Sequence, residues 1–224
     1  MSLRSKFVAG AAAAGLAATT MAVAAPAASA DEALGTTSLA EALGVVPGSG
    51  PDFDRNPYDF DLVTAAIETV LEVKPNSPVG LLANGSAAAT AFIPNDRAFQ
   101  QLARDLDRAN KWKYGFFRVN EKRVFNFVAS LGVDTVETVL LYHVVPDATI
   151  DKKAAKGADG AQLATAQGGT IEVDVRSKKW NIIRLIDNDP NDRDPYIVRS
   201  KFDINKGNMQ IAHGISQVLR PIDL

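Results

Sequence analysis

Two histidines, His143 and His213, are the only imidazoles in a chain of 224 residues that has no cysteine. Either could act as a general base, and together they could begin a metal site. A metal needs at least a third ligand, and none recurs near them at ligand spacing. His143 falls on the apolar stripe of a helix, and His213 alternates with Ile211 and Ile215 along a strand. Both are therefore expected in the core, with ring nitrogens satisfied by backbone or polar neighbours. A serine nucleophile would need a base and an oxyanion hole, and no Gly-x-Ser-x-Gly occurs. No catalytic residue and no metal ligand is assigned, and the chain is expected not to be an enzyme. A glycosidase-like carboxylate pair has no fixed spacing along a chain, so a carboxylate-dependent hydrolase stays as a minor alternative.

Two clusters could bind rather than react. Asp187, Asp189, Asp192 and Asp194 lie close together between two strands. Such oxygen-rich loops can hold calcium weakly outside cells, although Asp192 stands at the sixth position and Val198 at the twelfth, so the segment is no EF-hand. Ordinary turn chemistry of Asp, Asn and Pro explains the same pattern. Between Arg104 and Arg123, seven basic and three acidic residues interleave with Trp112, Tyr114, Phe116 and Phe117. Basic plus aromatic composition suits a partner or polysaccharide patch, with Trp112 and Tyr114 expected as its exposed rings. Single-stranded nucleic acid would read the same pattern, but the chain as a whole is acidic, at net charge −2.

The elements that must position these residues are written locally. Ser38-Leu-Ala-Glu41 has capping-box spacing for a short helix. Asp61 to Val73 is an amphipathic helix with Leu62, Ala66, Ile67, Val70 and Leu71 on one face, ended by Pro75 and Pro78. Ala89 to Pro94 is a buried strand, after which Asn95 or Asp96 caps a helix with Phe99, Leu102, Ala103 and Leu106 inside. A further helix starts at Asn120 and stops at Gly132. Asp134 to Glu137 caps the next, whose inner stripe is Val136, Val139, Leu140 and His143. The period then changes to two: Thr170–Arg176, Trp180–Ile186, Tyr196–Phe202 and Met209–Leu219 read as strands. Helices first and strands later give an α+β class, in one domain.

Met1 to Lys6 is basic, Phe7 to Ala25 is weakly apolar and Ala-rich, and Pro26 precedes Ala28-Ser29-Ala30. This pattern is expected to be a secretory signal peptide cut between Ala30 and Asp31. Nothing after residue 31 approaches the ~20 apolar residues of a membrane span, so no stable insertion follows cleavage. A secreted chain without disulfides must be held by its core alone.

Three stretches, in order, resemble the fasciclin-type adhesion domain (FAS1), in a secreted bacterial single-domain form. The first is Thr90-Ala-Phe-Ile-Pro-Asn-Asp-Arg-Ala-Phe99-Gln-Gln-Leu102. The second is Leu140-Leu-Tyr142-His143-Val-Val-Pro146, and the third runs from Asp203-Ile204 through Asn208 and His213 to Pro221. Ser216 stands where the family usually shows an Asp. The resemblance implies a FAS1-like β-wedge of antiparallel-rich twisted sheets flanked by helices. It divides the chain into a signal peptide (1–30), an extension with one short helix (31–58) and the domain (59–224). It also implies adhesion or partner binding without a cofactor, the partner being an extracellular or cell-envelope protein or polysaccharide and no nucleic acid. The residues it ties to contact are Tyr142, His143, Asp203 and Ile204, beside Trp112 and Tyr114 from the basic aromatic stretch. A secreted small-ligand carrier is the main alternative.

Overall fold

The computed structural model describes residues 33–45, 48, 52–109 and 120–223. The expected signal segment, its cleavage point, Trp112 and Tyr114 lie outside the described residues.

Among the described residues, six α-helices and six strands are ordered as α1 (Leu39–Ala42), α2 (Asp61–Val73), β1 (Ala89–Pro94), α3 (Asp96–Ala109), α4 (Glu121–Ala129), α5 (Val133–Tyr142), β2 (Val144–Pro146), α6 (Lys152–Gly157), β3 (Gln162–Ala164), β4 (Thr170–Ser177), β5 (Ile182–Ile186) and β6 (Gln210–Ile215). A 3-10 helix, Pro78–Ala83, follows α2. The caps read from sequence do their work. Ser38 Oγ accepts from Glu41 N at 3.1 Å, Asn95 Oδ1 from Ala98 N at 3.0 Å, and Asn120 Oδ1 from Arg123 N at 2.8 Å.

The strands form two three-stranded sheets, β2-β1-β6 and β3-β4-β5. β1 is central in the first: antiparallel to β2, parallel to β6, with Ala89 opposite Gln210 and Pro94 opposite Ile215. All six β1 residues are buried, as a strand covered on both faces must be. Its alternation divides the core. Ala91 and Ile93 face the helices α2 to α5, with Leu62, Ile67, Val70, Phe99, Val124 and Leu140 among their neighbours. Phe92 faces the second sheet, in a cluster with Tyr142, Ile171, Val173, Ile183, Leu185 and Ile215. The expected α+β class is what the chain adopts.

Several expected bounds shift, each for a physical reason. The strand expected from Trp180 begins at Ile182, because Asn181 takes a left-handed φ of 51° and makes 178–181 the β4–β5 turn. Tyr196–Phe202 forms no ladder: Tyr196 pairs with Arg184 and Ile197 with Ile215, so the segment steps between partners after one residue each. The last strand ends at Ile215 rather than Leu219. α5 starts at Val133 behind Gly132, whose φ is 92°, and Asp134 bonds Lys74 of the α2 end instead of capping.

Gln210 ties the start of the chain to its last strand. The buried amide accepts from Leu39 N at 2.8 Å and donates to Leu81 O at 2.7 Å and Asn84 O at 3.0 Å. Gly35 bridges Asn208 beside it. Gly85 lets Thr36 pass at backbone distance, since a Cβ there would sit 1.7 Å from Thr36 O.

Candidate functional site

The two histidines are interior and satisfied. His143 is 5% exposed; its Nδ1 lies 2.7 Å from Val139 O, and its Nε2 accepts from Leu219 N at 2.9 Å. That pairing makes the ring a neutral Nδ1–H tautomer, and burial pulls its pKa down to about 4. His213 has the opposite tautomer: Nε2 is 2.8 Å from Ile150 O, and Nδ1 accepts from Asp203 N at 3.2 Å. Burial lowers its pKa as well. Tyr142 is fully buried and donates its hydroxyl to Thr170 O at 2.7 Å. Tyr142 and His143 are therefore joints between the helical layer and the sheets, and a partner could touch them only if the core opened.

Asp203 and Ile204 lie nearer the surface. Asp203 adopts a left-handed φ of 56°, and its Oδ1 accepts from Lys152 N at 2.7 Å, where α6 begins. Ile204 bridges Ala212 and packs on the helical core. Ser216 serves the adjoining turn with its hydroxyl, which accepts from Tyr196 N at 2.9 Å.

The aspartate loop folds around cations of its own chain. Arg220 is buried; its Nη1 bonds Asp189 at 3.1 Å, its Nη2 bonds Asp105 of α3 at 3.0 Å, and its Nε lies 2.9 Å from Asp192. Asp194 bonds Arg184 at 3.1 Å, and Asp187 accepts the Arg220 amide at 2.7 Å. Each of the four carboxylates thus has a protein donor or cation, and the loop's role here is to bind the strand connection to α3.

The described residues show two features that sequence reasoning missed. One is a cluster of carboxylates at an open cleft of about 340 Å³, whose lining includes Asp59, Phe60, Asp61, Thr64, Lys201 and Ile204. Asp61, Asp96 and Glu121 are each the first residue of a helix, α2, α3 and α4. Oxygens of Asp59, Asp61 and Asp96 lie within 4.8 Å of one another, as do those of Asp54, Asp61 and Glu121. Asp96 is 0% and Glu121 2% exposed. Asp96 Oδ1 accepts from Leu62 N at 2.9 Å, whereas Asp96 Oδ2, Asp59 Oδ1 and Glu121 Oε2 are buried without a hydrogen-bond donor. Desolvation, then the Asp59 carboxyl beside it, raises the Asp96 pKa to about 8. Desolvation and the neighbouring carboxylates raise that of Glu121 to about 7, and Asp61 moves upward for the same reasons.

The other is the β4–β5 turn. Trp180 stands 58% exposed there, with Lys179 Nζ 5.1 Å from its ring and Arg176 and Lys178 exposed beside it. A cationic, aromatic tip is the chemistry expected of the 104–123 stretch, found at a different place. Trp180 was legible only as the first residue of a strand, since nothing local says where a hairpin turns outward.

Comparison with known proteins bears on the whole. The family profile described as the fasciclin domain matches residues 68–221. Among solved structures, the chain is similar to a FAS1 domain pair from the insect cell adhesion molecule fasciclin I. The identity is 17%, over 74% of this chain and 48% of that one, with a TM-score of 0.47. The chain thus spans about half the length of that relative. No curated protein matches.

Proposed function

Since the chain belongs to the fasciclin-domain family, we propose that it works by binding another surface, as a non-catalytic adhesion module. The observation that carries this reading is Trp180 with its cationic surround, a large ring held out on a rigid hairpin. Aromatic and arginine side chains are enriched where protein surfaces are recognised, and the flanking lysines favour a partner with acidic groups. In this reading residues 1–30 direct export and are removed before Asp31, residues 31–58 lead into the domain at 59–224, and the partner is an extracellular or cell-envelope protein or polysaccharide. Asp203, Ile204, Trp112 and Tyr114 are further contact candidates.

Two alternatives fit the geometry less well. A small-ligand carrier calls for a closed apolar pocket of several hundred Å³; among the described residues, the apolar cavity lined by Leu39, Val63, Ile67, Phe92 and Leu140 holds about 20 Å³, room for about one water, and the cleft of about 340 Å³ is open and lined by Asp59, Asp61, Thr64 and Lys201. A hydrolase needs two carboxyls facing each other across a substrate, ~5 Å or more apart. Asp59 and Asp96 instead bring oxygens within 4.8 Å of each other, and Asp96 is closed off from solvent.

The test is a pull-down of the purified protein against the envelope fraction of cells that produce it, comparing wild type with Trp180→Ala and with Trp112→Ala/Tyr114→Ala. Retention of wild type, weakened about tenfold or more by Trp180→Ala, is expected. Retention untouched by Trp180→Ala moves the contact elsewhere, and no retention of wild type removes the adhesion reading. N-terminal sequencing of secreted protein should begin at Asp31.

A further inference from the structure

We propose that the carboxylate cluster at the starts of α2, α3 and α4 is a binding site for calcium. Its donors are Asp59, Asp61 and Asp96, with Asp54 and Glu121 beside them. The inference is independent of the adhesion reading, because it concerns only what this chain itself coordinates.

Acidic residues at helix starts are ordinary, since each is favoured by the positive end of its own helix. What is not ordinary is that three such ends meet. Together they supply roughly +1.5 of charge, against five carboxylates when all are ionised. The surplus negative charge sits partly in the interior. Asp96 and Glu121 are fully or almost fully buried; each brings an oxygen into a triad, and each has one oxygen without any hydrogen-bond donor to meet it. Buried carboxylate oxygens are normally satisfied. Two states satisfy these: protons retained by the acids, or a cation among them.

The donor set favours a specific ion. Several carboxylates gathered from separate elements suit calcium, which takes six to eight oxygens, better than magnesium, which keeps several waters and is usually held by one or two carboxylates. All donors are carboxylate oxygens, with no imidazole or thiolate, which suits a hard cation and not zinc or copper. Asp59 and Asp61 line the open cleft, so an ion has a path in, while Asp96 closes the site from behind. Thr64 and water in the cleft can complete a coordination shell of six to eight oxygens. The ion would fasten the start of α2 directly to that of α3, and through Asp61 to that of α4.

The experiment strips the purified protein with chelator and measures calcium binding by equilibrium dialysis and by thermal shift, at pH 6 and pH 8. One Ca²⁺ per chain is expected, with Kd on the order of 10⁻⁴–10⁻³ M, and a larger rise in Tm at pH 8, where fewer protons compete. Asp61→Asn removes the carboxylate shared by both triads from a half-exposed position, and should weaken binding about tenfold or more. Asp96→Asn should do the same while keeping the Leu62 N–H acceptor. No binding up to ~10 mM Ca²⁺ would mean that the cluster holds protons only. Binding that neither variant weakens would place the ion elsewhere, and an equal response to Mg²⁺ would overturn the assignment to calcium. Any of these three results removes the proposal.

Discussion

At the scale of single residues, Arg220 shows how one side chain can organise a loop. Its guanidinium meets Asp105, Asp189 and Asp192, and the Asp189 side chain has no solvent exposure at all. Truncating Arg220 to Ala would leave a buried carboxylate without its counter-charge. Breaking such a pair from one side costs about 3–5 kcal/mol, more than the pair itself adds relative to an apolar substitute. Arg220→Lys keeps the charge but offers no planar fork for three carboxylates, so it should recover only part of the loss. Urea midpoints of the two variants measure both effects. Equal stability of Arg220→Ala and wild type would mean that the loop is held by its backbone bonds alone. His143 is quieter by comparison: neutral, with both nitrogens bonded to backbone, it has no charge to switch over the physiological range.

At the scale of elements, the meeting of three helix starts makes stability depend on pH. Asp96 and Glu121 titrate near 8 and 7 in the fold, against ordinary values of 3.8 and 4.5. Between about pH 4 and pH 8 the folded chain therefore keeps protons that the unfolded chain has released. By linkage, that stability is lost as pH rises through this window. The groups around them are Asp52, Asp54, Asp59 and Asp61 from the segment entering α2, with Lys201 across the cleft. In metal-free buffer, Tm should fall by roughly 5 °C or more from pH 5 to pH 8.5, and Asp96→Asn should flatten the slope, because an amide can accept from Leu62 and donate to Asp59. A slope unchanged in Asp96→Asn would assign the effect to other groups. None of this convergence was visible in the chain. The caps at Ser38, Asn95 and Asn120, the α2 stripe and the six buried residues of β1 are local signals, and sequence periodicity finds them. Asp61, Asp96 and Glu121 come together only through helix packing, which no local pattern encodes. α6 was missed because it buries Ala155 alone and has no stripe, and β2 and β3 because three residues are too few for a period.

At the scale of the whole molecule, the parallel pairing of β1 with β6 is the contact on which both core layers depend. Ile215 belongs to the layer between the sheets and Ala212 to the helical layer, while Gln210 holds α1 and the 3-10 helix. A chain ending at Ile204 would lack all of these. It should show helical signal in the far ultraviolet but no cooperative thermal transition, and a sharp transition in that fragment would mean that the helices and β1–β2 fold as a unit of their own. The order of the elements has a further consequence. β1 waits with one edge unpaired until the last of the described strands has been synthesised, so the fold has no early stopping point. A protein closed by so late a strand cannot complete either core layer until that strand has left the ribosome, however much local helix has formed before it.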